Sequence, residues 1–150
     1  SSLNIPLEEG ITLNILYPHY SVEDMPKGAN PNNNSIVCRL SFGEIDFLFM
    51  GDLEKEKELE LVSMYGKQLE SEVLKVGHHG SKTSSSEIFL DSVRPTYAVI
   101  SCGRKNRFRH PAKSTLWKLK KRKYKSLRTD KQGSIEFITD GKRLLYKTFL

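Results

Sequence analysis

Three short segments hold the residues best suited to chemistry. Lys75-Val76-Gly77-His78-His79-Gly80-Ser81 sets a histidine pair between an apolar stretch and a Gly-Ser turn. Phe47-Leu48-Phe49-Met50-Gly51-Asp52 ends an apolar stretch on an aspartate, and Asn106-Arg107-Phe108-Arg109-His110-Pro111 sets a further histidine beside a proline. Carboxylates and imidazoles are hard-to-borderline ligands that suit zinc, manganese or iron. Two strand ends and a loop can bring Asp52, His78 or His79, and His110 together. Such a cluster is a hydrolytic metal site, or half of one.

The elements that must position these residues follow from periodicity. Ile11 to Leu16 alternates at period two and reads as a strand. Tyr17 to Asn34 is polar and rich in Pro, Gly and Asn, hence a loop. Ser35 to Phe42 predicts a strand with Ile36, Cys38, Leu40 and Phe42 on one face. Gly43-Glu44 turns it into a second strand, Ile45 to Met50, whose continuous apolar character predicts burial on both faces. A helix over Leu53 to Tyr65 ends at Gly66. Val73 to Val76 is a short strand that delivers the histidine pair. Ser84-Ser85-Ser86-Glu87 has capping-box spacing, with Ser84 as cap and a helix from Ser85 to Ser92. Tyr97 to Ser101 reads as another buried strand. Pro111 suits the first turn of a helix to about Lys123, with Trp117 in the core and the lysines outside. Ser134 to Thr139, an Asp140-Gly141 turn and Lys142 to Phe149 form a hairpin. Strands alternating with helices make the fold class α/β.

The chain of 150 residues is long enough for one domain with a real core. It has no apolar run of membrane-span length and no signal peptide, so it reads as a soluble domain, cytoplasmic or a water-exposed part of a membrane protein. Cys38 and Cys102 have no metal-type spacing and read as buried free thiols. Charge is uneven. Residues 101–150 hold 16 Lys and Arg against three acids, whereas residues 1–100 hold eight against 15. A basic half of this kind is the electrostatic footprint of a polyanion binder; the plainer alternative is a solvated lysine-rich face.

Taken in order, Asn32-Asn33-Asn34-Ser35, Gly51-Asp52, His78-His79-Gly80-Ser81, Ser101, Asn106 with His110-Pro111, and Thr129-Asp130 with Gly133 form a pattern. From about Leu13 to Gly141 it resembles the C-terminal half of the metallo-β-lactamase-like domain of ComEC-type competence DNA-uptake proteins and their soluble relatives. Leu74 to Ser81 is its most specific piece. The resemblance implies half of an αβ/βα sandwich with metals, zinc or manganese, at one edge. It implies Asp52 as a bridging ligand and His78 or His79 as the late histidine. Related hydrolases place this ligand directly after the strand, so the resemblance favours His78 and leaves His79 to serve a substrate phosphate or donate a proton. It implies Ser81, Asn106 and His110 at the substrate, with His110 able to protonate a leaving oxygen. Arg104, Lys105, Arg107 and Arg109 flank that edge as phosphate binders. Arg109 stands where the relatives usually carry glycine, which leaves room for a reshaped loop.

The signature HxHxDH motif is missing from this sequence, whose four histidines are His19, His78, His79 and His110. Residues 1–150 therefore read as the C-terminal portion of the domain, lacking the half that bears the motif, or else as a degenerate relative. Catalytic zinc needs three protein ligands and an open position. The expectation is part of a metal-dependent hydrolase of nucleic-acid phosphodiesters, DNA rather than RNA, inactive alone and belonging to a longer membrane protein or a soluble one. The segment itself makes no membrane contact. Two alternatives stand beside it: a basic nucleic-acid-binding module with a vestigial site, and a metallo-hydrolase of a small ester or lactone. Asp52 as a helix N-cap, and His110 as a cap for the helix that Pro111 opens, are the plainer roles for those residues.

Overall fold

A computed structural model describes residues 3–24 and 28–150. Strands β1 (Leu3–Glu8), β2 (Ile11–Tyr17), β3 (Val37–Phe42) and β4 (Ile45–Phe49) form an antiparallel meander. Strands β5 (Val73–Lys75), β6 (Tyr97–Ile100) and β7 (Lys125–Arg128) continue the same sheet in parallel with β4. The resulting seven-stranded sheet runs in simple sequence order. Parallel neighbours need crossovers. These contain helices α1 (Lys55–Tyr65), α2 (Glu87–Val93) and α3 (Lys113–Lys121). One helical turn, α4 (Thr129–Gln132), leads into a separate hairpin of β8 (Ser134–Thr139) and β9 (Leu144–Phe149).

The core lies between the helices and one face of the sheet. Leu48, Leu74, Ala98 and Ile100 from the strands meet Leu61, Phe89, Leu90, Val93 and Leu119 from the helices, all essentially inaccessible to water. The opposite face is only partly covered. The hairpin packs Phe137 against Phe47 and Tyr97, at ring separations of 5.8 and 5.5 Å. Phe49, two residues beyond Phe47 on the same face, stays 38% exposed. The expected burial of this strand on both faces is thus corrected: helices back one side, and the hairpin reaches only part of the other. The face carrying Cys38, Leu40 and Phe42 is likewise half-buried, while Val37 points into the core. Edge strand β1, whose register against β2 shifts between Pro6 and Glu8, has no counterpart among the strands expected from periodicity.

Three local expectations are corrected. Helix α2 is capped by Ser86, whose Oγ accepts from Phe89 N at 3.4 Å, because Ser84 Oγ is already donating to the Leu53 carbonyl at 2.8 Å. Trp117 is 57% exposed, and Lys118 replaces it in the buried face. The reason is helical spacing: Thr115, Lys118 and Leu119 share the stripe toward the sheet, one quarter-turn or more from Trp117. Both cysteines are free and half-buried rather than buried; burial pushes their thiols upward.

Lys118 can be buried because it has partners. Its ammonium donates to the Ser85 carbonyl, with Ser84 O at 3.5 Å. Glu58, fully buried on α1, accepts from Ser85 N and Ser86 N at 2.5 and 2.7 Å. Burial pushes the Glu58 carboxyl up and the Lys118 amine down. Together they fasten the loop before α2, with Ser85 in the left-handed region at φ 58°. Glu58→Ala strands the buried Ser85 N–H and the part-buried Ser86 N–H and removes one of the negative charges near Lys118. The expected loss is about 3 kcal/mol by urea denaturation.

Candidate functional site

The candidate residues sit where parallel strands end. β4 and β5 pair with Phe49 opposite Lys75, so the loops after them start side by side. The first loop turns at Gly51, with φ 54°; a Cβ there would lie 2.8 Å from Ser35 Cβ. Ser35 Oγ accepts from Asp52 N at 2.9 Å, which leaves the Asp52 carboxylate free to project. It is not the helix cap: α1 begins at Lys55, with Glu54 in the cap position.

The second loop is tighter. His78 and His79 both take left-handed backbone conformations, φ 49° and 53°, which cost side-chain-bearing residues about 1–2 kcal/mol each. Three contacts hold the turn. His78 N donates to Gly51 O at 2.9 Å, Ser81 N to His78 O at 2.8 Å, and Ala112 N to Gly80 O at 2.9 Å. Gly80 has φ 80°, and a Cβ there would meet Pro111 Cβ at 2.6 Å. The turn is thereby clamped between the Asp52 loop and the His110-Pro111 segment.

The two imidazoles diverge. His79 Nδ1 lies 2.8 Å from the Ser101 carbonyl. A carbonyl only accepts, so Nδ1 carries the proton and Nε2 offers its lone pair. That Nε2 is 3.6 Å from Asp52 Oδ1, and both side chains are about half-exposed. Two donors that share a tetrahedral zinc lie about 3.4 Å apart, so the pair fits as part of a metal site. No group of three or more His, Cys, Asp or Glu with metal-holding geometry occurs among the described residues.

His78 faces elsewhere. Its Nδ1 is 3.3 Å from Thr83 Oγ1 and 3.7 Å from Glu54 Oε1. Glu54 is a hub that sequence reading missed. It accepts from Thr83 Oγ1 at 3.1 Å, Asn30 Nδ2 at 2.9 Å and Asn32 Nδ2 at 3.4 Å, while Glu54 N donates to Asn33 Oδ1 at 3.3 Å. The asparagine-rich segment thus braces the site from behind. The His78 ring stands edge-on to His110 at 5.7 Å, and His110 stacks on Phe108 at 5.7 Å. Burial, then the neighbouring His78 and His79, hold the His110 imidazole below its usual value.

The remaining candidates fall into two groups. Ser81 is buried, and its hydroxyl is shared with Thr83 Oγ1 at 3.1 Å. Asn106 is a loop brace: its Oδ1 accepts from His110 N at 2.7 Å, and its Nδ2 donates to the carbonyls of His110 and Gly103 at 2.8 and 2.9 Å. Arg104, Lys105, Arg107 and Arg109 are exposed on this loop, with no ion-pair partner among the described residues. Arg109 occupies φ 56°, a conformation that favours glycine, so the loop keeps a glycine-type backbone. Beside the loop lies a cleft of about 350 Å3 lined by His79, Ser101, Cys102, Phe108, His110 and Thr129, among others. Thr129 Oγ1 accepts from Cys102 N and donates to Cys102 O at 2.9 and 3.0 Å, closing the cleft floor.

The sequence is similar to a segment of competence proteins. Over 119 residues it is 39% identical to ComE operon protein 3 of Bacillus subtilis, covering 79% of this chain and 15% of that protein. Over 111 residues it is 42% identical to competence protein ComA of Neisseria gonorrhoeae, covering 74% of this chain and 16% of that one. Recombination protein 2 of Haemophilus influenzae is 39% identical over 118 residues, 79% of this chain and 14% of that protein. The chain therefore spans about a seventh of the length of these relatives. No family model matches the sequence. No helix among the described residues is long and apolar enough to cross a membrane.

The clamp on the histidine turn can be tested directly. Gly80→Ala forces a Cβ into Pro111 and strains φ, so the expected loss is about 2 kcal/mol in chemical denaturation. Gly103→Ala, with no atom within 4 Å of the added Cβ, should be nearly neutral.

Proposed function

We propose that this chain is the C-terminal portion of a metallo-β-lactamase-like, metal-dependent hydrolase domain that acts on nucleic-acid phosphodiesters in DNA uptake. The observation that carries this reading is the Asp52–His79 pair, 3.6 Å apart, with His79 lining a cleft beside a loop whose Arg104, Arg107 and Arg109 are exposed and have no ion-pair partner among the described residues. Zinc or manganese held there would supply a polarised water and neutralise phosphate charge. Asp52 and His79 are two of the ligands it needs, and a preceding HxHxDH-bearing half supplies the others. The partly uncovered sheet face around Phe49 supports this, since a second layer is what would cover it. Ser101 fixes the tautomer of His79 through its carbonyl. His78, held by Thr83 and Glu54, is placed with His110 to handle protons at the substrate. Arg104, Lys105, Arg107 and Arg109 bind the backbone phosphates.

A second reading rests on the ligand count. With only two donors paired, the chain can act as a basic nucleic-acid-binding module without chemistry. An extended chain that includes the preceding half decides between them. DNA cleavage by that protein, lost in Asp52→Ala with binding retained, supports the hydrolase; binding with no cleavage in any divalent metal supports the module.

Two results are expected from the 150-residue chain itself. Calorimetric titration should show weak zinc or manganese binding that Asp52→Ala abolishes; tight stoichiometric zinc would contradict the half-site. DNA affinity, measured by anisotropy of a labelled oligonucleotide, should fall steeply with salt because phosphate contacts release counterions. Reversal of Arg107 and Arg109 to Glu should weaken binding by about tenfold or more and flatten the salt slope, with the melting temperature unchanged.

A further inference from the structure

The chain has one tryptophan, and it lies exposed in a basic groove away from the cleft. A groove of about 390 Å3, within the range of ligand-binding sites, is lined by Trp117, Ser114 and Lys118 of α3, Lys55 of α1, and Lys82 with Ser86 from the loop after the histidines, beside Glu87. Lys55 and Lys82 are exposed and have no carboxylate within ion-pair distance among the described residues. The groove's own acid, Glu87, is already matched by Arg122 at 3.0 Å and Lys121 at 3.9 Å. Lys121 also lies 5.0 Å from the Trp117 ring centroid, which adds positive charge beside an aromatic surface. The groove thus combines an aromatic platform with uncompensated cations.

We propose that this groove holds single-stranded nucleic acid, with a base stacked on Trp117 and backbone phosphates on Lys55 and Lys82. The inference rests on the nucleic-acid reading above and adds to it a second contact point and a strand preference. Stacking platforms among cations bind single strands with little sequence preference, because every base has a π-face. A duplex keeps its bases stacked and would offer this groove only phosphates. The groove is linked to the histidine turn through the chain. Thr83, beside Lys82, bonds His78 through its hydroxyl at 3.3 Å and receives Lys55 N on its carbonyl at 3.0 Å. One loop therefore carries His78 and His79 at its start and Lys82 and Ser86 at its end.

Because the tryptophan is unique, its fluorescence reports on this groove alone. The 150-residue chain is titrated with a labelled ten-residue oligo(dT), a duplex of equal length and a polyglutamate peptide, following both tryptophan emission and label anisotropy. The expected result is saturable quenching by oligo(dT) and little quenching by duplex or polyglutamate. Trp117→Ala should weaken oligo(dT) binding by about tenfold, and Trp117→Phe should restore most of it. Lys55→Glu with Lys82→Glu should weaken it as well. Anisotropy that reports binding through Arg107 and Arg109, with emission unchanged and Trp117→Ala neutral, overturns this inference and leaves the nucleic-acid reading standing. Failure of both signals at low salt overturns both. Equal quenching by polyglutamate shows a groove for acidic peptides and overturns the strand assignment.

Discussion

Everything at the cleft depends on one backbone constraint, the pair of consecutive left-handed histidines. An L-residue avoids that conformation, and two in succession persist only where the surroundings over-determine them. Here the surroundings are main-chain hydrogen bonds, one donated to the Gly51 carbonyl and one received from Ala112 N, and a Gly80 pressed against Pro111. The strain has a use. An extended continuation of β5 would send His78 and His79 to opposite faces of the sheet. The turn instead brings both rings to one end, His79 toward Asp52 and His78 toward Glu54 and His110. One reversal of the chain thus separates two imidazoles into two chemical settings a few ångströms apart.

The supports behind that turn form a continuous polar scaffold. Asn30, Asn32 and Thr83 converge on the Glu54 carboxylate, and Ser35 holds the Asp52 backbone. Glu58 and Lys118 do for the next stretch of the same loop what Glu54 does for its beginning. The 77–86 segment is therefore fixed at both ends by a charged group from the start or middle of α1. The site is held by polar bonds from the asparagine-rich loop and from α1, and the hydrophobic core beneath it supplies the platform.

Periodicity and turn chemistry made most elements legible: the strands that carry Asp52 and the histidine pair, the helix ending at Gly66, and the closing hairpin. What they left out is non-local. Glu54 looked like one more acid in a charged helix start, because its partners lie 22 to 29 residues away in sequence. Ser84 had the right spacing for a cap, but a carbonyl from another loop claimed its hydroxyl. Trp117 and Lys118 exchanged their expected places because a long amphipathic stem can line a core when its ammonium finds carbonyls. The continuous apolar run of β4 promised two covered faces, yet composition cannot say how much of a sheet its neighbours reach. Of the site, the residue types were readable. Which imidazole faces the carboxylate was not, since it follows from a turn rather than from spacing.

Arg109 gives the loop beside the cleft a particular character. Its backbone sits where glycine is at ease, and a side chain there works against folding by about 1 kcal/mol. The loop retains a guanidinium at a position that would be more stable without one. The segment is consequently held closer to opening than its hydrogen bonds alone suggest, and one of its exposed cations sits on a strained backbone position. Rigidity and grip are opposed within a single residue, so any change that tightens this loop by replacing Arg109 with glycine removes one of the exposed charges beside the cleft.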